Sequence, residues 1–461
     1  MVQALRADER GKRLLVGRDD LVKLVAQRLH KHGKITCLDG HVGVGKTSLV
    51  NVASYECFQA FLKGETTQLL IPLHEAFQLM KDEDVNQFCD KVFLKVANGL
   101  LSQREHLSNY TLTGPSLQHV EAWLNSPIIQ HLNGALSGGF TMGVPGVISA
   151  TLNATGTGSN QINTSAGFSQ DGFERLVRDW LNEIFHVQGN GGVVCVIDNL
   201  ELLETGATVR RTLEALRDRL FNINGLRWVL CGANGVVHSL AASPRLGSFL
   251  NTPIIEVQNI TQDFIEPLVR ARLDEFSHDS KEVEAALPIR LYDLQSLYLI
   301  INYNLRDLLH YADEYCEQEL NHNRTESTES EKERRYLKWL NKNSTESYRN
   351  LASRISQDAW VVLDIAMSSP FNGTFGAGDY GSFSSDSLIS FTQGKFKKWL
   401  RDLIKLGLLS ESIVDTVGED DCFKRDVFSV TAKGALVHYA RFTNKETRSL
   451  GSPCWLKRVH Y

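Results

Sequence analysis

What this 461-residue chain lacks narrows the reading first. Its eight cysteines are scattered without any C-x-x-C spacing, and Cys37, Cys195 and Cys231 lie inside apolar runs, where they read as small core residues. No apolar run reaches the ~18 residues that span a bilayer, and Met1 to Arg13 is polar and charged, unlike a secretory leader. No membrane partner is expected, and a reducing cytoplasm is the expected setting. A strong charge of either sign is also missing: the formal net charge is −5 and the pI near 6.3. Nucleic-acid binding would therefore have to come from a local basic patch. What remains is ordinary globular composition, with 42% hydrophobic and 22% charged residues. Single cores stop growing near ~250–300 residues, so two or three domains are expected.

Apolar residues at Leu21, Leu24, Val25 and Leu29 have helical spacing, and Lys34 to Asp39 then reads as a strand running into glycines. Further short apolar runs at Leu69 to Leu73, Gly192 to Ile197 and Leu226 to Gly232 alternate with helical patterns at Val85 to Ser102 and Phe173 to Phe185. That alternation predicts a parallel sheet covered on both faces, an α/β fold. Asn133 to Gly172 is rich in Gly, Ser, Thr and Asn and reads as a long hairpin or a loop, part of an insertion over about 106–172. Residues 1–259 would make the sheet domain and 260–320 a helical lid; 321–350, with "RTESTESEKERR", would be a charged linker or helix. Residues 351–445, helices followed by a β-hairpin, suggest a winged helix, with 446–461 as a tail.

The segment "ITCLDGHVGVGKTSLV" contains G-x-x-x-x-G-K-[ST] as Gly40, Gly45, Lys46 and Thr47, between a predicted strand and a predicted helix, the context this P-loop motif requires. Gly40, Gly43 and Gly45 let backbone N–H groups, those of Val44 and Ser48 among them, converge on phosphates at a helix N-terminus. Lys46 would reach the β and γ phosphates of ATP, and the Thr47 hydroxyl would ligate Mg²⁺. In "GGVVCVIDNLELLE", Asp198 ends an apolar run and should emerge at the carboxyl edge of the sheet as the second Mg²⁺ group. Glu201 follows shortly and could polarise the attacking water; a solvent-facing helix residue explains it nearly as well.

These motifs resemble AAA+ ATPases, especially the branch of origin-recognition and initiator ATPases. The resemblance runs from about Leu14 to Cys316. It implies that Val16, Gly17 and Arg18 in "LLVGRDDLVKLVAQRL" lie near the adenine, and that Asn234 in "LRWVLCGANGVV" is the first sensor of the γ-phosphate or water. It further implies that Arg245 in "SLAASPRLGSF" is an arginine finger acting on a neighbouring subunit, and that Arg306 in "INYNLRDLLHYADEY" is a second sensor over the phosphates. One departure is plain. Many AAA+ proteins have Asp followed directly by Glu, whereas this chain has Asp198-Asn199, and Asn199 orients water but cannot take its proton. Either Glu201 substitutes or hydrolysis is slow.

In "SDSLISFTQGKFKKWLRDLIKLGLLSE", Phe396, Trp399, Leu400, Leu403 and Ile404 form an apolar helix face, while Lys395, Lys397, Lys398 and Arg401 crowd the rest. A recognition helix contacting DNA is one reading and a solvated basic face another; Asp415, Glu419, Asp420 and Asp421 in the predicted wing argue against DNA. The expected function is an oligomerising AAA+ ATPase, with ATP bound at boundaries in a homo-oligomer and assembly or conformation switched on a nucleic-acid or protein partner. The alternatives are a signalling ATPase of a bacterial anti-phage system working with a separate effector protein, or a slowly hydrolysing nucleotide-bound scaffold.

Overall fold

The structure is a computed structural model that describes residues 4–80, 83–107, 170–185, 191–203, 206–233, 235–241, 243–277, 287–320, 328–386, 392–417 and 422–446. Asn234, the insertion between residues 108 and 169, the acidic wing residues Glu419 to Asp421 and the tail beyond residue 446 lie outside the described residues.

Helices α1 (Glu9–Leu14) and α2 (Asp19–Leu29) precede strand β1 (Thr36–Asp39), which leads through a glycine-rich loop into α3 (Lys46–Leu62). Then come β2 (Leu69–Pro72), β3 (Phe77–Gln78), α4 (Val85–Ser102), α5 (Gln170–Ile184), β4 (Gly191–Asp198), α6 (Gly206–Leu216) and β5 (Leu226–Gly232). The short helix α7 (His238–Ala241) and β6 (Ile255–Glu256) complete this part. All of its strand pairs are parallel, in the order β2-β4-β5-β1-β6, with β3 joining β4 near that strand's carboxyl end. This is the P-loop NTPase fold, a parallel sheet flanked by helices.

The strands sort their side chains by period two. Cys37, Val193, Cys195, Ile197, Trp228 and Leu230 enter the core shared with α4, α5 and α6. Their neighbours Leu38, Val194, Val196, Val229 and Cys231 enter the opposite core, with Val25 of α2 and Leu49, Val50 and Val52 of α3. Because both faces are covered, the strands are apolar throughout and not alternating, as a parallel sheet requires. Burial also fixes the chemistry of the cysteines: Cys37 is pushed up to about 12 and is an inert packing group.

The segment expected to form a lid contains α8 (Ile265–Phe276), α9 (Leu291–Ile300) and α10 (Leu305–Leu320). Helix α11 (Glu329–Ala352) follows, opened by a capping box in which the Thr328 side chain and Glu331 satisfy each other's backbone N–H. The charged run therefore starts a helix, and Tyr336, Trp339 and Leu340 on its inner face are buried in the lid core beside Tyr298 and Tyr315. Farther along, Leu351 enters a separate core with α12 (Gln357–Ala366), β7 (Thr374–Gly376), α13 (Tyr380–Asp386), α14 (Gln393–Lys405), β8 (Leu409–Val417) and β9 (Cys422–Val430). The sheet in this unit is antiparallel, in the order β7-β9-β8. The last helix, α15 (Ala432–Glu446), packs along α11, and its Leu436 and Tyr439 reach back into the lid core. Helices α11 and α15 thus contribute residues to both cores. No helix among the described residues is long and apolar enough to cross a membrane.

Candidate nucleotide site

The loop from Gly40 to Gly45 is the whole connection between β1 and α3. Gly43 and Gly45 have φ of +82° and +98°, left-handed values that side chains disfavour, and no side chain among the described residues caps the N-terminus of α3. The first-turn N–H groups and the positive end of the helix are therefore presented to an anion. Lys46 is buried, with Nζ donating to the carbonyls of Gly40 at 2.9 Å and His41 at 3.1 Å. Its ammonium is held across the loop that phosphates would enter.

Only β5 separates β1 from β4, which brings the two strand ends together across the sheet edge. The Thr47 hydroxyl donates to Asp198 Oδ2. The other carboxylate oxygen accepts the Asn199 N–H at 2.9 Å. Asn199 itself is left-handed, with φ +57°, a conformation Asn tolerates better than most side chains. That turn starts the 3₁₀ segment Leu200–Leu203 and carries Glu201 toward the site. Burial raises the Glu201 carboxyl above its ordinary value; the Lys46 charge opposes this, Asp198 adds to it, and the Ala233 N–H at the end of β5 opposes it again. Glu201 Oε2 is buried and has no hydrogen-bond partner among the described residues. A buried carboxylate oxygen left open beside Lys46 and Asp198 suits a water molecule.

Behind the loop, Arg18 is 7% exposed and donates from Nη2 to the Val44 carbonyl at 3.3 Å. Burial lowers its pKa while nearby Tyr298 of the lid opposes the shift, so this arginine joins P-loop to lid. Val16 packs against the lid core, and Phe264 lies against Gly17. On the outer side of the loop, a Cβ on Gly43 would lie 2.8 Å from Asn304 Oδ1 and 3.2 Å from Arg306 Cβ. Arg306 is exposed there and makes no ion pair among the described residues. Ser48 is otherwise engaged, its hydroxyl accepting the Leu5 N–H at 3.0 Å. Arg245 stands on the surface, 3.7 Å from Asp218.

The motifs pass over three groups. Asp39, the last residue of β1, is 5% exposed, and its two oxygens accept the Gly235 N–H at 3.1 and 2.9 Å. Burial pushes its carboxyl up to about 6; the Gly235 N–H opposes this, Glu256 adds to it, and His238 and Lys46 oppose it. Asn304 caps α10 by accepting the Asp307 N–H at 3.2 Å while touching Gly43. Tyr298 donates to the Ile260 carbonyl at 3.0 Å. Asp39 had a signal, a carboxylate directly before the first loop glycine; the other two had only their places in a helical stretch.

On α14, Phe396, Trp399, Leu400 and Leu403 are buried, whereas Lys395, Lys397, Lys398 and Arg401 are exposed and make no ion pair among the described residues. The Thr392 hydroxyl caps this helix through the Lys395 N–H at 3.4 Å.

No protein-family model matches the chain, and no curated protein matches it. Among solved structures it is similar to the ORC1 protein of Aeropyrum pernix in complex with DNA, with 13% identity, 95% of this chain and 98% of that one covered, and a TM-score of 0.41. It is also similar to CDC6P from Pyrobaculum aerophilum, with 13% identity, 92% and 94% covered, and a TM-score of 0.35. Both are likenesses of fold alone.

Proposed function

We propose that this protein is a Mg²⁺-dependent ATPase of the AAA+ kind, in which nucleotide sets the position of the lid and C-terminal unit on a nucleic-acid partner. One observation carries the reading: Thr47 grips Asp198 while the open Glu201 oxygen is buried beside them and Lys46. Thr47 and Asp198 form the all-oxygen donor pair that suits Mg²⁺, which when bound neutralises charge on phosphate oxygens. Lys46 and the uncapped start of α3 bind the phosphates. Glu201 is the base. Its raised pKa makes it a better proton acceptor than an exposed glutamate, and it takes over from the position where Asn199 stands.

The lid answers to the same site. Arg306 and Asn304 abut Gly43, and the lid core continues into α11 and α15, so a γ-phosphate engaging Arg306 would bias the whole C-terminal half. Exposed, unpaired cations on α14 suit a phosphate backbone. Arg245 is exposed and belongs to this reading as a group offered to the next copy in a homo-oligomer. Phosphate release measured for wild type, Lys46→Ala and Glu201→Gln tests the reading. Lys46→Ala should lose binding and turnover, whereas Glu201→Gln should keep ATP binding and lose ~10²-fold or more in rate. Equal rates in all three proteins would sink it.

A further inference from the structure

We propose that Asp39, His238 and Glu256 form a binding site for one divalent transition-metal ion of the Zn²⁺ class, tying the strand that enters the P-loop to its neighbours. One donor atom from each of the three residues lies within 4.8 Å of the other two, and His238 Nε2 is 2.6 Å from Glu256 Oε1. The sheet builds this convergence. Asp39 and Glu256 are register partners on the adjacent parallel strands β1 and β6, so both side chains leave the same face at the carboxyl edge. His238 opens α7, a few residues beyond the end of β5, on the other side of β1.

Two carboxylates side by side on neighbouring strands repel, and one of them is buried. The simplest alternative is an exposed His238–Glu256 pair. A single imidazole, however, brings at most one positive charge to two carboxylates. A divalent ion balances both and uses the imidazole as a neutral ligand. One nitrogen and two carboxylate donors, with further positions open to water, favour Zn²⁺ and its neighbours over Mg²⁺, whose preferred donors are all oxygen. The site is thus chemically distinct from the pair Thr47 and Asp198.

Its position gives it a consequence. Asp39 directly precedes Gly40 and holds Gly235, and α7 leads toward Arg245. An ion here would fix the P-loop strand, the loop after β5 and the arginine-bearing segment relative to one another. Because Zn²⁺ binding is read without nucleotide, the inference stands or falls separately from the ATPase reading.

Full-length protein stripped with a chelator, dialysed and titrated with ZnCl₂ by calorimetry in excess Mg²⁺ provides the test. Wild type should take up one equivalent that His238→Ala and Glu256→Gln each weaken by at least ~10–100-fold, the loss seen when even an outer-shell partner is removed. Zn²⁺ should raise the unfolding temperature of wild type and leave that of His238→Ala unchanged. His238 and Glu256 are both exposed, so chelator-treated variants should match wild type in circular dichroism. With eight cysteines and 14 histidines in the chain, Co²⁺ substitution identifies the ligands: the spectrum should lack a thiolate charge-transfer band. A strong thiolate band, equal Zn²⁺ binding in wild type and both variants, or no stoichiometric uptake by wild type would each overturn the proposal.

Discussion

Charge is handled in opposite ways at the two ends of this molecule. Around the P-loop, Lys46 is buried against carbonyls, Asp198 is bound by Thr47, and Glu201 is desolvated between them. On α14 the cations stand in water without ion pairs among the described residues. Desolvated charges interact strongly and at fixed geometry, so few are needed and each is indispensable. Solvated charges are screened within about 10 Å, so they act by number and answer to salt. The comparison predicts steep, site-specific losses at the first end and graded, salt-dependent ones at the second.

The largest break should come from Thr47→Ala, which removes both the grip on Asp198 and a metal donor. Phosphate release with Mg²⁺ is expected to fall ~10²–10³-fold, the usual consequence of losing one preorganised electrostatic group. Binding of nucleotide without Mg²⁺ should change little. Unaltered turnover would show that the desolvated end is not the reactive one.

Next is Asp39, measured with chelator present. Its folded pKa of about 6 exceeds the ~3.9 of an unfolded aspartate, so between those values the folded chain holds the proton more tightly. Stability therefore falls as pH rises through that window, and the full penalty applies above it. Asp39→Asn should gain on wild type in unfolding free energy between pH 4 and pH 7.5, by up to about 3 kcal/mol. Glu256 strengthens the effect, while the Gly235 N–H, His238 and Lys46 oppose it. A variant that parallels wild type at all pH values would show that this carboxylate is not penalised by burial.

Gly43→Ala is expected to act less strongly, through the lid. The added methyl meets Asn304 and Arg306 at a left-handed position. Strain of about 1–2 kcal/mol should weaken ATP binding by about tenfold. Fluorescent-nucleotide titration measures it, and the loss should be smaller in Asn304→Ala, which removes the Oδ1 that the added methyl would meet.

How much of this was written in the sequence differs between the same two ends. The glycine loop between β1 and α3, the place of Asp198 at the end of β4 and the strand Leu226–Gly232 were legible because the motif admits few residue types, and because a doubly covered sheet forces unbroken apolar runs. Glu201 was ambiguous: three positions after Asp198 it reads equally as an exposed helix residue, and only the left-handed turn at Asn199 aims it inward. Asp39, His238 and Glu256 are far apart in the chain, and strand register alone unites two of them. The Gly/Ser-rich stretch around Gly373 to Phe383 contains β7 and α13. Its Phe375 and Phe383 are buried, whereas propensity weighed the glycines and serines around them. The charged run before Tyr336 read as a charged linker or helix; its helix is half-buried, because its aromatic residues are spaced for one face.

The smallest expected effect belongs to the solvated end, and salt is what exposes it. Lys397 and Lys398 are exposed neighbours on α14 above the buried Phe396 and Trp399, so replacing them should leave the C-terminal core intact. If both meet phosphates, Lys397→Glu with Lys398→Glu removes about two units from the slope of log affinity against log salt. Across a fourfold rise in salt, the wild-type advantage on duplex DNA should then shrink by about tenfold. The loss should be nearly uniform across DNA sequences, because phosphate contacts carry no base identity. An unchanged slope would assign this helix to a protein surface, and the contrast between the two ends would then rest on solvation alone.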